Sequence, residues 1–178
     1  MPRNIEIKAR IASVDALLPR AQALAGGEPV LIEQDDTFFS VPHGRLKLRT
    51  FADGSAELIH YHRADATAAK ASDYARVPVA DAAALREALT RACGGLGRVR
   101  KRRLLLMAGA TRIHLDRVEG LGDFMELEVV LHAGQSDAEG MTQADALMRA
   151  LGLANAQRLA GSYLDLMRPA GAVASQAL

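Results

Sequence analysis

One cysteine, Cys93, supplies all the thiol in this 178-residue sequence. That excludes an internal disulfide and a Cys-rich zinc site, and it makes a reducing, cytoplasmic setting the expectation. Tryptophan is absent, and three tyrosines and four phenylalanines make up the whole aromatic complement. Few side chains are therefore available to stack on a base; Phe38, Phe39 and Tyr74 are the ones to watch. A surplus of one charge is also missing. The 22 basic residues stand against 21 acidic ones, a net +1, which argues against a protein that coats nucleic acid by bulk charge. No apolar run approaches the roughly 18 residues that cross a bilayer, and no basic-then-apolar leader opens the chain. Neither nucleic acid nor membrane is expected as a partner.

What the sequence does have is charge in strict alternation. In NIEIKAR (4–10), Glu6 and Lys8 alternate with Ile5 and Ile7, so a strand here carries an acid beside a base on one face. RLKLRTF (45–51) puts Arg45, Lys47 and Arg49 opposite Leu46 and Leu48. RIHLDRV (112–118) sets Arg112, His114 and Asp116 against Ile113 and Leu115, with Val118 one step out of phase. FMELEVVL (124–131) sets Glu126 and Glu128 against Met125, Leu127 and Val129. AELIHYHR (56–63) and VRKRRLLLM (99–107) also read as strands, the first without a clear facing. Pro42-His43-Gly44, Asp53-Gly54-Ser55, Ala108-Gly109-Ala110 and Gly120-Leu121-Gly122 mark turns between antiparallel neighbours.

Helical patterns lie between these runs. Residues 13–25 carry apolar positions at helical spacing, with Pro19 inside the pattern predicted to kink or split it. Residues 81–93 follow an acidic cap and stop at Gly94-Gly95. Ser136-x-x-Glu139 is a capping box opening a helix to about Leu151, and residues 162–168 form a short amphipathic piece. No repeat or long linker divides the chain. One α+β domain over residues 1–169 is expected, an antiparallel sheet or barrel with helices packed outside, then a loose tail at 170–178.

One charged strand face is ordinary, since half-buried strands show a polar side to water. Several in register are not. Lys47 with Arg49, and Glu126 with Glu128, repel their neighbours, and acids gather on some strands while bases gather on others. If helices cover the apolar faces, the charged faces meet solvent or the lumen of a barrel. Charges enclosed in a lumen are costly without partners. A polyphosphate with a divalent metal satisfies both groups: its oxygens accept from Lys and Arg, while carboxylates hold the metal. Glu6 with Glu126 and Glu128 suits Mg²⁺, which takes one or two carboxylates plus phosphate oxygens.

At this point the sequence resembles the CYTH family, the triphosphate tunnel metalloenzymes, in ordered blocks from about residue 3 to 168. NIEIK resembles the family's E-x-E-x-K strand, and DTFFSVPHGRLKLR (36–49) its aromatic-then-basic hairpin. KASDY (70–74), KRR (101–103), RIHLDRVEGLGDFMELEV (112–129) and SYLDLM (162–167) resemble further blocks. The resemblance implies an eight-stranded antiparallel β-barrel, a tunnel, that binds a triphosphate-containing small molecule with Mg²⁺ or Mn²⁺. It implies Glu6, Glu126 and Glu128 as metal ligands, with Asp116 a further candidate. Lys8, Lys47, Arg49, Lys101, Arg103 and Arg112 would grip phosphate oxygens, with Lys70 in a loop-like stretch that could close over them. Glu6 and Lys8 would be the catalytic pair. A homodimer is left open.

Two departures bear on the reaction. Asn4 stands where the pattern has its first Glu, which weighs against a two-metal arrangement. The His-Phe pair frequent before this strand in class IV adenylyl cyclases is missing from Met1-Pro2-Arg3, which weighs against a cyclase. Hydrolysis of inorganic or organic triphosphate is the preferred expectation. Adenylyl cyclase and a non-catalytic polyphosphate or nucleotide-binding module are the alternatives. Among other residues, His60-x-His62 lacks an evident third ligand and reads as a solvated or hydrogen-bonded pair. His114 is either a proton donor lining the tunnel or structural. Cys93, Tyr163 and the methionines, Met107 included, read as packing or structural residues.

Overall fold

A computed structural model of the protein describes residues 3–62 and 73–167. Its elements run β1 (Arg3–Arg10), α1 (Val14–Ala25), β2 (Val30–Phe39), β3 (Arg45–Phe51), β4 (Ala56–His62) and β5 (Asp73–Pro78). Then follow α2 (Ala82–Cys93), β6 (Gly95–Ala108), β7 (Thr111–Val118), β8 (Gly122–Leu131), α3 (Asp137–Ala150) and α4 (Tyr163–Met167). The eight strands form one sheet in the order β1-β8-β7-β6-β2-β3-β4-β5, every neighbouring pair antiparallel. Among the described residues no ladder joins β1 to β5. Side chains from all eight strands nevertheless line a single cavity, so the sheet is curled into a tunnel.

The alternation read from the sequence decides which side faces in. Ile5, Ile7, Ile113, Leu115, Met125, Leu127 and Val129 form the outer face and are at most 4% exposed. They are covered by Val14, Leu17 and Ala21 of α1 and by Ala144 and Met148 of α3. A second apolar patch of Phe39, Leu48 and Ala56 lies under Leu85, Leu89 and Cys93 of α2. Phe39 therefore points away from the lumen and is not a base-stacking candidate. The side chain of Tyr74 lies outside the described residues, as do Lys70 and the tail at 170–178.

Local signals place the helices. Ser13 accepts from Asp15 N and Ala16 N to start α1, which runs unbroken through Pro19, so the helix is not split there. Helix α3 opens with the reciprocal bonds of its capping box, Ser136 to Glu139 N and Glu139 to Ser136 N. In the β3–β4 hairpin, Gly54 at φ 84° turns the chain while Asp53 accepts from Ser55 N at 2.9 Å.

A third apolar group, which includes Phe38, Val99 and Tyr163 of the cavity lining, packs beside the tunnel. Phe38, Val99, Val118 and Phe124 pack there against Tyr163 and Leu164 of α4. Val118 is thus in phase with the charged face of β7 rather than out of it. Arg45 ties α4 to β3, donating to Ser162 Oγ at 2.8 Å and Asp165 Oδ2 at 2.7 Å. Met107 is 45% exposed and does not pack in the core as expected. Among the described residues no helix is long and apolar enough to cross a membrane.

Candidate functional site

Strand register lays the inward charges out as cross-strand ladders. Glu6 stands opposite Glu128, and Lys8 opposite Glu126, between β1 and β8. Across β7 and β8, Arg112 faces Glu128 and His114 faces Glu126. Arg103 faces Asp116 between β6 and β7. On the far side, Asp36 faces Arg49 between β2 and β3, and Arg49 faces Glu57 on β4. The KRR segment divides by parity: Lys101 and Arg103 point inward at 9% exposure each, while Arg102 lies outside beside Glu33.

These ladders converge on a cavity of about 520 Å³. Its lining includes Glu6, Lys8, Lys47, Arg49, Lys101, Arg103, Arg112, Glu126 and Glu128. Asp116 is fully buried behind that lining. Lys70 is outside the described residues. His60 sits on the other face, its Nε2 3.0 Å from the His43 carbonyl oxygen, and the side chain of His62 is not described.

Lys8, Lys47, Arg49, Lys101, Arg103 and Arg112 each lie within 4.0 Å of a carboxylate. Asp36 accepts from Lys47 Nζ at 2.9 Å and from Arg49 Nε and Nη2 at 2.7 Å each. Asp116 accepts from Arg103 Nε at 2.7 Å and Nη2 at 2.6 Å, and from the Tyr163 hydroxyl at 2.8 Å. Lys101 Nζ lies 3.5 Å from the same carboxylate. Arg103 Nη2 also donates to Glu126 at 2.9 Å, bridging two acids. Glu128 accepts from Arg112 Nη1 at 2.8 Å and from Asn4 Nδ2 at 2.6 Å. Lys8 lies 4.0 Å from Glu126, donates to the Gly161 carbonyl at 3.1 Å and sits over the Tyr163 ring, 4.3 Å from its centre. Enclosed charge is tolerated because it is paired and hydrogen-bonded.

The electrostatics follow from that enclosure. Burial pushes the Lys47 amine down to about 8, with Asp36 opposing. Burial and then Arg103 push Lys101 to about 7, against the pull of Asp116. For Asp36, burial favours the neutral acid, but Lys47 and Arg49 outweigh it and hold the carboxyl well below the usual carboxylate range. Burial opposes ionisation of Asp116 as well, and Lys101 and Arg103 bring it to about 2. Lys8 and Arg103 overcome burial to keep Glu126 well below its ordinary value. Burial lowers His114, which leaves the imidazole neutral near pH 7. Its Nδ1 lies 3.8 Å from Glu126 Oε2, too far for a hydrogen bond, and has no other partner among the described residues.

The acidic wall on β1 and β8 fits a hard divalent cation in donor type. Glu6, Glu126 and Glu128 supply carboxylate oxygens, the class of ligand that Mg²⁺ and Mn²⁺ take, from cross-strand and next-but-one positions of one face. Among the described residues no three such side chains already converge at metal-ligand geometry. Glu128 is turned toward Arg112 and Asn4, and Glu126 toward Arg103.

Asp36, Glu57, Gln34, Arg76 and Ser162 line the cavity without having been singled out from the sequence. Asp36 lies inside the quoted DTFF block, but only the β2–β3 register reveals that it clamps both Lys47 and Arg49. Tyr163, read as structural, lines the cavity as well as holding Asp116.

Solved structures with the same fold include a Pyrococcus horikoshii protein, PH1012. It is 24% identical, with a TM-score of 0.81, over 93% of this chain and 99% of that one. A Pyrococcus furiosus protein matches at 23% identity and TM-score 0.80, over 92% and 99% of the two chains. HpAC1 from Hippeastrum, a candidate adenylyl cyclase with a dominant triphosphatase activity, matches at 16% identity and TM-score 0.69, over 93% and 94%. No curated protein matches the sequence significantly. The family model of the CYTH domain matches residues 2–163, and with nearly the whole chain inside that match, this protein belongs to the CYTH domain family.

Proposed function

We propose that the protein is a divalent-metal-dependent hydrolase of triphosphates. The observation that carries this reading is the single cavity in which seven Lys and Arg side chains face four glutamates and Asp36. A nucleic-acid backbone is a poor match, because unshielded carboxylates repel phosphates. A triphosphate with its metal meets both signs at once. The dominant triphosphatase activity of HpAC1, on the same fold, points the same way.

Phosphoryl transfer asks chiefly for positioning and charge neutralisation. Lys47, Arg49, Lys101, Arg103 and Arg112 donate to the non-bridging oxygens, and Lys8 adds a charge beside Glu126. Asp36 keeps Lys47 and Arg49 aimed into the lumen. Asp116, with its oxygens taken by Arg103 and Tyr163, serves by fixing Arg103. Glu6 orients a water for attack on the terminal phosphorus and takes its proton. The bond from that phosphorus to the bridging oxygen breaks, so inorganic triphosphate yields orthophosphate and diphosphate. Wall cations stabilise the charge that develops on the departing oxygen. Glu6, Glu126 and Glu128 would hold a divalent ion, which would supply further charge neutralisation.

Phosphorus NMR of the products tests the reaction. Inorganic triphosphate is expected to give orthophosphate and diphosphate, and ATP to give ADP and orthophosphate. Cyclic AMP with diphosphate would replace this reading by a cyclase. Tight triphosphate binding without turnover would replace it by a binding module.

A further inference from the structure

Of the polar side chains on the inner face of β7, Arg112 and Asp116 are hydrogen-bonded to Glu128 and Arg103, and the role of the third, His114, is open. His114 is 7% exposed and lines the cavity. Register sets it between Leu105 of β6, whose side chain offers no hydrogen-bonding group, and Glu126 of β8. Its Nδ1 is buried without a hydrogen-bond partner among the described residues and lies 3.8 Å from Glu126 Oε2. A buried polar atom left in this state costs free energy that a ligand can recover.

Either a hydrogen bond to Glu126 or a cation shared with it completes this nitrogen. The hydrogen bond requires the pair to close to about 3 Å. Two ligands of one ion with bonds of about 2.1 Å lie between about 3 and 4.2 Å apart, so the pair already stands at a separation that a shared ion spans. Arg103 donates to the same Glu126 oxygen at 2.9 Å, which leaves that oxygen a second lone pair for a cation. Burial keeps the imidazole neutral near pH 7, so a nitrogen lone pair is available as well. Glu128 follows two positions along the same face of β8, with Glu6 opposite it on β1.

From this orphaned nitrogen beside the acidic wall we infer that His114 is a nitrogen ligand of the divalent ion that Glu6, Glu126 and Glu128 would hold. The inference rests on the metal-dependent reading of the cavity and extends it to the kind of ion. Carboxylate oxygens joined by an imidazole suit Mn²⁺ or Co²⁺ better than Mg²⁺, which takes oxygen ligands and dehydrates reluctantly.

Pulsed EPR of Mn²⁺ on the full chain, with protein in excess, tests the assignment without turnover. Modulation from a directly bound ¹⁴N nucleus is expected, changing to the ¹⁵N pattern when the protein carries ¹⁵N-histidine. His114→Asn identifies the residue, because its amide keeps an N–H donor near the Nδ1 position but has no nitrogen lone pair to give. In that variant the nitrogen modulation is expected to vanish. By calorimetry, its Co²⁺ dissociation constant is expected to rise on the order of tenfold or more, and its Mg²⁺ constant to change by less than about threefold. His114→Gln repeats the measurement if the Asn variant does not fold. Bound Mn²⁺ without nitrogen modulation, or modulation that persists in the variant, overturns the ligand while the hydrolase reading stands. Equal losses of Co²⁺ and Mg²⁺ affinity overturn it too, in favour of a hydrogen bond that orients Glu126. If Mn²⁺ alone does not bind, the spectra are taken with inorganic triphosphate added, and no bound Mn²⁺ in either case overturns both readings.

Discussion

The two buried lysines make the lumen responsive to pH. Lys101 titrates at about 7 and Lys47 at about 8 because burial disfavours their charged forms. A polyanion placed against them reverses that balance and raises both values. Binding of inorganic triphosphate is therefore expected to take up protons between about pH 7 and 9, and affinity is expected to fall as pH rises through that window. Calorimetry in two buffers of different ionisation enthalpy measures the uptake; heats independent of buffer would remove Lys47 and Lys101 from the phosphate contacts. Asp116 concerns stability. Its folded value of about 2 lies below the ordinary 3.8, so its contribution is complete above about pH 4 and is lost as pH falls through 2. Asp116→Ala leaves Arg103 buried without its bidentate partner and should cost about 3–5 kcal/mol in a denaturant titration at pH 7. A loss under about 1 kcal/mol would mean that Glu126 alone can hold the guanidinium. Lys47, Arg49, Glu126 and Glu128 were legible in the sequence because a strand shows its facing through a period of two. Asp36 was not, since a lone acid reveals its partners only once a neighbouring strand is in register.

At the level of elements, helix starts and stops were clearest where capping chemistry is local. The Ser136–Glu139 box and the Asp81 cap mark α3 and α2 as the sequence predicts. Pro19, in the middle of α1, does not split it, because the burial of Val14, Leu17 and Ala21 offsets the one backbone hydrogen bond it removes. The first half of β2 escaped notice because its inward face changes from apolar to charged partway along, which erases the alternation. Edge strand β5, six residues long, had too few positions to show a pattern. The seating of α3 on the sheet depends on Gly140. A Cβ there would lie 2.4 Å from Leu131 Cδ2 and 2.8 Å from Ile5 Cγ1. Gly140→Ala gains about 1 kcal/mol of helix propensity but forces overpacking that costs about 1–3 kcal/mol. A lower Tm with triphosphate affinity retained is the expected result. A raised Tm would show that Leu131 can swing aside without loss.

For the molecule as a whole, the sequence implied a charged interior from repulsive like charges at alternate positions, and the curled sheet brings those charges into one cavity. Curl itself is not written in any single strand. It arises from accumulated strand twist and from helices α1, α2 and α3 packed on the outer face. The interior is close to self-neutralising: Asp36, Asp116, Glu126 and Glu128 each hold cations that the proposed substrate must share. A bare triphosphate should thus gain little without a divalent ion to offset the carboxylates. The most direct measurement is orthophosphate release from inorganic triphosphate in Mg²⁺ and in Mn²⁺, by the protein and by Glu126→Ala. Release that stops with chelator and falls on the order of 100-fold or more in the variant is the predicted result. Release that persists in chelator, or at full rate in Glu126→Ala, would contradict a metal-dependent hydrolase built on this acidic wall.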